Sequence, residues 1–385
     1  MRAIAAVLVV LFHASLTEML NPFADTNVAD GYKLVFSKAG WLAVSFFFVL
    51  SGFVLTWSAR PTDTVTGFWK RRLLKIYPNH IVVFALSMVL FAAATAKAAV
   101  WLPNLLLIHS WFPRETTFIS INQPAWSLCA ELLFYLIFPF VIPVVRRMSA
   151  RALWSTAAAM VTGMVALQVV VDLFLPQGPI TVNHPLSEPQ WWISYNFPPS
   201  RLFEFILGMV MARLVMAGKC PRIGLAPAAL LMAAGYAVAL VVPWQYGLTV
   251  AMIVPIAVLV CSLAQADVAD RHTFLRSRTM IWLGEISFAT YMFHFVVLVM
   301  AGKWLDGRLL ATPAATALVV AALLVSLLGG WLLYVGVERP VMRRFGRTRP
   351  KPGAVGETPA PREQPREPGE PRDDREREMA ASGQH

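Results

Sequence analysis

The sequence predicts an all-α integral membrane protein, built as a bundle of about ten transmembrane helices. Of its 385 residues, 57% are hydrophobic and 14% are charged, whereas soluble domains carry about 25% charged residues. The mean hydropathy is +0.59, and the apolar residues form long runs between short charged clusters. Because a helix needs roughly 20 apolar residues to cross a bilayer, these runs indicate membrane spans.

Ten apolar runs have the length of a span and define one transmembrane domain over residues 1–345. A shorter apolar stretch, 100–111, is predicted to be re-entrant or interfacial. Over residues 346–385 Pro, Glu, Arg and Gly dominate, which predicts a disordered tail. The predicted spans are 2–20, 39–58, 79–96, 124–145, 152–175, 199–217, 224–242, 244–264, 280–301 and 313–337.

The distribution of charge predicts the orientation. The formal net charge is +11, and clusters of Lys and Arg follow every even-numbered predicted span. Since cytoplasmic loops carry an excess of these residues, we expect both termini, and therefore the tail, to be cytoplasmic. Basic clusters between predicted spans indicate orientation signals, so we do not expect a nucleic-acid partner. The three cysteines lack the spacing of a metal site or a disulfide framework, so we expect no bound metal.

The first predicted span carries two ionisable residues, Arg2 and His13. They are eleven residues apart, which returns them to nearly the same helix face with a rise of about 16 Å between them. A histidine can accept a proton near neutral pH, as a general base acting on a hydroxyl must. The alternative is an interfacial anchor and a structural histidine.

Basic residues open the third predicted span in the stretch Gly67–Pro78. Arg72 and Lys75 are three residues apart and share a helix face. Arginine offers bidentate donors to phosphate, so the pair is a candidate clamp for a phosphorylated cofactor. The alternative is a simple orientation cluster.

Further polar residues fall inside predicted spans, where they are costly unless partnered. Glu131 and Tyr135 lie one turn apart; the glutamate is predicted to orient His13, to bind a substrate hydroxyl or to pair with an arginine. Arg201 and Glu204 form either a site or a structural pair. A polar stripe in the ninth span faces the bundle interior and either lines a substrate path or joins helices. Its residues are Ser287, Tyr291 and His294.

Taken together, these segments resemble acyltransferase family 3, a family of membrane O-acyltransferases, over most of residues 1–340. The resemblance rests on Arg2 followed eleven residues later by His13, and on six further segments in the family's order. These are Ser45–Phe53, Arg71–Pro78, Trp126–Glu131, Arg201–Gly208, Ile286–His294 and Glu338–Pro340.

The resemblance implies an acyl-coenzyme A co-substrate on the cytoplasmic side, with no permanently bound cofactor, and a hydroxyl acceptor on a sugar or sugar-bearing molecule. By motif, His13 is the essential histidine and Glu131 the acidic catalytic residue. Arg2, Arg72 and Lys75 are implied to bind coenzyme A. We expect the acceptor to contact Trp126, Tyr135, Arg201, Ser287, Tyr291 and His294.

The expected reaction is direct transfer of a short acyl group, acetyl or propionyl, with His13 as the base and without an acyl-enzyme. The relatives that modify polysaccharide often carry a further domain, so the sequence favours a glycosylated small molecule, such as an antibiotic sugar, as acceptor. The alternatives are O-acetylation of a cell-surface polysaccharide, a flippase for a lipid-linked sugar, and an acyl shuttle. The Ala- and Arg-rich composition suggests a GC-rich bacterial genome, and we expect the protein to lie in a bacterial cytoplasmic membrane.

Overall fold

The computed structural model describes residues 1–346 apart from residue 95 and residues 181–184. All regular structure in this described part is helical, which confirms the predicted all-α class. The predicted disordered tail lies outside the described residues from residue 347 onward. The α-helices are α1 Arg2–Ser15, α2 Thr26–Phe36, α3 Ala39–Ser58, α4 Val65–Ser87, α5 Ala98–Leu105, α6 Glu115–Phe118, α7 Trp126–Arg147, α8 Ala150–Phe174, α9 Glu188–Trp191, α10 Leu202–Met216, α11 Leu225–Val241, α12 Trp244–Leu248, α13 Val250–Val268, α14 Arg278–Leu305, α15 Thr312–Leu333 and α16 Arg339–Phe345.

Seven helical segments in the described part of the chain are long and apolar enough to cross a membrane. A helix forms in each of the other three predicted spans, but these helices are shorter. For example, α1 ends at Ser15 because Leu16 has extended backbone, and its 14 residues rise about 21 Å. The seven segments are Thr26–Ser58, Val65–Ala92, Gln123–Arg147, Ala150–Phe174, Trp244–Val268, Arg278–Leu305 and Thr312–Phe345.

The surface of the bundle is apolar in a way that a soluble protein does not tolerate. Val89, Phe174, Leu230 and Val241 are between 71% and 82% exposed. In water such a surface favours aggregation, whereas in lipid it contacts acyl chains at no cost. Together with the seven candidate spans, this surface shows that the chain is an integral membrane protein.

The close approach of α3 and α10 fixes the centre of the bundle. A Cβ atom on Gly52 would lie 2.0 Å from the carbonyl oxygen of Phe205, and one on Gly208 would lie 2.0 Å from that of Val49. Small residues that let two backbones touch are a common device for packing membrane helices. On its other side α3 contacts α1, which also packs against α14. The residues of α1 therefore face two neighbouring helices.

Short helical pieces join α4 to α7 where the re-entrant stretch 100–111 is predicted. In the structure this stretch ends α5 and continues as a 3-10 turn, His109–Trp111. His109 is fully buried, and its Nδ1 lies 3.4 Å from the sulfur of Cys129. Burial lowers the pKa of His109 to about 3, with a further contribution from the nearby His80. The imidazole is therefore neutral near pH 7, so that no charge is buried at this position.

Candidate active site

The side chain of His13 lies in the last turn of α1 and is partly exposed. Its Nδ1 lies 3.1 Å from the carbonyl oxygen of Val9, one turn earlier on the same helix. It also lies 3.0 Å from Nε2 of His294 on α14. The two imidazoles, from the first and ninth predicted spans, therefore form a pair across the helix interface.

Hydrogen bonding fixes how the two imidazoles share their protons. Nδ1 of His294 lies 2.6 Å from the carbonyl oxygen of Tyr291, and a carbonyl can only accept, so this nitrogen donates. In the neutral ring Nε2 of His294 is then an acceptor, which requires Nδ1 of His13 to be the donor. The remaining nitrogen of His13, Nε2, keeps its lone pair. This is the tautomer that a general base needs.

His13 lines a cavity that measures about 980 Å³ when the open solvent space at its mouth is included. Exposed residues lie at its mouth, Glu18 and Lys33, whereas its inner wall is mostly aromatic. We call it the His13 cavity. Its inner wall includes Trp41, Trp126, Trp191, Tyr195, Asn196 and Trp244.

A second cavity, the arginine cavity, measures about 920 Å³ when open solvent space is included, and it contains Arg2 from the opposite end of α1. Val44 and Tyr291 line both cavities, so the two meet in the interior of the bundle. The structure thus brings together most of the candidate site residues. Those in the arginine cavity are Arg2, Arg72, Lys75, Glu131, Tyr135, Ser287 and Tyr291.

The charges of the arginine cavity are unequally partnered. Lys75 forms an ion pair with the buried Glu338, which also accepts a hydrogen bond of 2.7 Å from Asn79. Within the described chain neither Arg2 nor Arg72 forms an ion pair. Positive charge for an anionic ligand therefore comes from the two arginines more than from Lys75. The contribution of Glu338 was not predicted from the sequence.

Glu131 lies in the arginine cavity and accepts a hydrogen bond of 2.5 Å from the hydroxyl of Tyr135. The Tyr135 ring also lies 5.7 Å from the Arg72 guanidinium carbon, a cation–π distance. The imidazole of His13 contacts His294 instead of Glu131. The hydrogen-bond partner of the His13 imidazole is therefore His294, and not Glu131 as predicted. Glu131 instead bonds Tyr135, whose ring lies near Arg72.

Arg201 lies behind the cavities and lines neither of them. It is 1% exposed and is bound to Glu204 at 2.5 Å and to the hydroxyl of Ser45 at 3.1 Å. Its guanidinium carbon stands 4.5 Å from the ring centre of Tyr195, whose ring lines the His13 cavity. Of the two interpretations of the Arg201 pair, this placement favours the structural one, with Arg201 supporting the cavity wall.

The polar stripe of α14 is divided between the cavities. Ser287 lines the arginine cavity and donates to the carbonyl oxygen of Gly284 at 2.8 Å. Tyr291 reaches both cavities, and its hydroxyl lies 2.9 Å from that of Ser127. His294 is fully buried behind His13. The stripe faces the bundle interior as predicted, but its residues lie in different places. Ser287 lines the arginine cavity, Tyr291 lines both cavities, and His294 is buried beside His13.

Several residues of the His13 cavity were not singled out from the sequence. Trp41 and Trp244 belong to different helices, and their ring centres lie 5.6 Å apart. Tyr195 and Asn196 end a π-helical segment, Trp192–Asn196, between two predicted spans. The run of aromatic residues in this connection was the available signal, since aromatic side chains are enriched in ligand pockets.

Comparison with known proteins decides the family. A family model described as an acyltransferase domain matches residues 1–335. The chain belongs to acyltransferase family 3. It is therefore an acyl-transferring enzyme, and the flippase alternative is set aside.

Individual relatives agree with this assignment. The chain is 40% identical to acyltransferase MdmB of Streptomyces mycarofaciens over 356 residues, 89% of this chain and 91% of that protein. It is 28% identical to nodulation protein 10 of Rhizobium leguminosarum bv. viciae over 43% of this chain and 48% of that protein. It is 22% identical to O-acetyltransferase OatA of Staphylococcus aureus over 69% of this chain and 47% of that protein. No solved structure matches the chain.

Proposed function

We propose that this acyltransferase moves a short acyl group, of the acetyl or propionyl class, from acyl-coenzyme A to a hydroxyl of a sugar or a glycosylated small molecule. One observation carries the proposal. The arginine cavity and the His13 cavity contain opposite ends of α1 and share the walls formed by Val44 and Tyr291. This arrangement suits a reaction in which donor and acceptor enter separately and meet inside the bundle.

The donor belongs in the arginine cavity. Coenzyme A carries its phosphates at one end and its thioester at the end of a long, thin arm. Arg2 and Arg72 would hold the phosphates by charge-assisted hydrogen bonds. The Tyr135 ring, which is itself hydrogen-bonded to Glu131, lies against Arg72 and helps to position it. The apolar walls around Phe47 accommodate the arm. Acyl-coenzyme A is then a co-substrate that leaves as free coenzyme A, and no permanently bound cofactor is needed.

Transfer occurs where the cavities meet. Nε2 of His13 takes the proton of the acceptor hydroxyl as its oxygen attacks the thioester carbonyl. The tetrahedral oxyanion collapses, the carbon–sulfur bond breaks, and the thiolate takes the proton from the His13 imidazolium. The products are an ester and the free thiol. Nδ1 of His13 keeps its proton throughout and donates a hydrogen bond to Nε2 of His294, which supports the positive charge that develops on the His13 ring.

The acceptor belongs in the His13 cavity. Its aromatic wall suits a ring with an apolar face, such as a sugar or a glycosylated aglycone. The nearly complete alignment with the acyltransferase MdmB supports acyl transfer, and the aromatic wall of the cavity is the reason to place a glycosylated small molecule first. The partial alignment with the O-acetyltransferase OatA supports transfer of an acetyl group to a hydroxyl, and the second candidate acceptor is a cell-surface polysaccharide.

The side of the membrane to which each cavity opens follows from where the donor is found. Acyl-coenzyme A is a cytoplasmic metabolite, so we propose that the arginine cavity opens to the cytoplasm and the His13 cavity to the opposite side of a bacterial cytoplasmic membrane. The basic clusters after the even-numbered predicted spans agree with this orientation. The proposed bundle has ten spans with both termini cytoplasmic, and the three short helices cross where neighbouring helices shield them.

The test is thiol release from radiolabelled acetyl- and propionyl-coenzyme A by the purified chain in lipid nanodiscs. Wild type, His13→Ala and the surface control His272→Ala are compared with a panel of glycosylated small molecules and polysaccharide fragments. We expect release that depends on an acceptor, with the label recovered on that acceptor, and its loss in His13→Ala alone. Release that is equally fast in His13→Ala would refute the role of His13. Recovery of the label on a polysaccharide fragment, with none on any small molecule, would favour the second candidate acceptor, a cell-surface polysaccharide.

A further inference from the structure

Buried polar atoms without partners mark part of the His13 cavity wall. Asn196 is fully buried, yet within the described chain neither its amide oxygen nor its amide nitrogen forms a hydrogen bond. The hydroxyl of Tyr195 and the side-chain oxygen of Gln123 are also buried and unpartnered within that part of the chain. All three residues line the cavity that contains His13. Unpaired buried groups are rare in native proteins and call for an explanation.

Local structure shows how Asn196 comes to face the cavity. The preceding α9 is held by a capping box between Ser187 and Gln190. The chain then widens into the π-helical segment Trp192–Asn196, closed by a 2.8 Å hydrogen bond from the Phe197 amide to the Trp192 carbonyl. π-Helical turns are rare and are frequently found at functional sites. The widened turn places two consecutive polar side chains, Tyr195 and Asn196, on the cavity wall.

The unpartnered atoms define the chemistry of the ligand. An amide offers both a donor and an acceptor, and a glutamine oxygen accepts. Burial raises the pKa of Tyr195 well above its usual value, so the phenol keeps its proton and can donate. A hydroxyl group donates one hydrogen bond and accepts up to two, so a ligand with two hydroxyl groups can satisfy all of these atoms. The charged residues of the cavity, Glu18 and Lys33, are exposed at its mouth, so the inner part suits an uncharged ligand.

We propose that Asn196, assisted by Gln123 and Tyr195, hydrogen-bonds an oxygen function of the acceptor next to the hydroxyl that His13 deprotonates. The acceptor is then an uncharged, polyhydroxylated molecule with an apolar ring face. The face lies against the tryptophans, and a second hydroxyl on Asn196 sets which hydroxyl reaches the base. This inference rests on the proposed function in one respect, the use of the His13 cavity by the acceptor.

The test measures equilibrium binding, which does not depend on transfer. The probes are radiolabelled n-octyl β-D-glucopyranoside and its four monodeoxy analogues, each below micelle-forming concentration. The full chain is held in nanodiscs, and binding to empty nanodiscs is subtracted. The variants are Asn196→Leu, close in volume but without hydrogen-bonding groups, and Asn27→Leu, a control at an exposed position of α2.

Wild type and Asn27→Leu should bind the parent glycoside saturably, and loss of one particular ring hydroxyl should weaken binding about tenfold, or about 1.4 kcal/mol. Asn196→Leu should bind the parent about tenfold more weakly and lose the discrimination against that analogue. Equal affinity of Asn196→Leu and wild type for the parent would overturn the inference, and so would the lack of saturable binding by wild type.

A second variant covers the case in which Asn196→Leu does not fold, as judged by size exclusion and thermal unfolding. Gln123→Leu removes the neighbouring acceptor atom from a partly exposed side chain, and it too should weaken binding of the parent glycoside. Unchanged binding by this variant would then contradict the proposal. The two hypotheses can fail separately. Saturable binding that depends on Asn196 without thiol release would reject the proposed donor, while thiol release that is insensitive to Asn196 would reject this inference.

Discussion

The pairing of His13 with His294 makes a quantitative prediction for His294→Leu. Val9 also accepts from Nδ1 of His13, at 3.1 Å, so the tautomer should survive the loss of His294. What is lost is support for the imidazolium, because the 3.0 Å bond to His294 strengthens when His13 gains a proton. Hydrogen bonds contribute about 0.5–1.5 kcal/mol between neutral groups and about 1.5–3 kcal/mol with a charged partner. Only this difference, about 1–2 kcal/mol, slows the reaction, and it corresponds to a loss of about 5- to 30-fold in kcat.

Steady-state thiol release in nanodiscs measures this loss, with donor and acceptor varied separately. The KM for acyl-coenzyme A should stay within about twofold of the wild-type value, because His294 does not line the arginine cavity. The matched variant His294→Gln keeps an oxygen that can accept from His13 and should recover most of the activity. A folded His294→Leu protein with wild-type kcat would refute this role of His294, as would a His294→Gln protein as slow as His294→Leu.

Three further substitutions test the donor site and the fold. Arg72→Ala should raise the KM for acyl-coenzyme A about tenfold or more, since it removes charge-assisted phosphate contacts, whereas Arg71→Ala, on the neighbouring residue that pairs with Asp63, should change it less than twofold. Gly208→Ala should lower the stability in detergent by about 1–3 kcal/mol, seen as a lower thermal unfolding midpoint. The control Gly31→Ala should leave the midpoint unchanged, because a Cβ atom at this position of α2 would meet no other atom. Glu204→Gln should cost about 3–5 kcal/mol, because it leaves a buried guanidinium without its counter-charge; an unchanged unfolding midpoint would contradict this.

Features of the site that depend on one helix were predictable from the sequence. The spacing of Arg2 and His13 places them at opposite ends of α1, and the polar stripe of α14 faces inward. Both follow from helical periodicity, which is a local property. The all-α class and the membrane setting followed from composition in the same way.

Partners on different helices were not predictable, because they depend on how the helices pack. Nothing in the local sequence pairs His13 with His294, whose positions differ by 281 residues. The same holds for the ion pair between Lys75 and Glu338. The cavity wall at Asn196 comes from an irregular π-helical connection that has no apolar periodicity to reveal it. The ends of helices were also not predicted, as α1 shows by ending at Ser15 although the predicted span continued to residue 20.

A cryo-EM structure of His13→Ala with bound propionyl-coenzyme A tests most directly whether donor and acceptor meet between the two cavities at His13. Phosphate density is expected beside Arg2 and Arg72, with the thioester beside Tyr291 and facing the vacated position of the His13 ring. Coenzyme A phosphates seated in the His13 cavity, or a thioester directed away from residue 13, would contradict this arrangement.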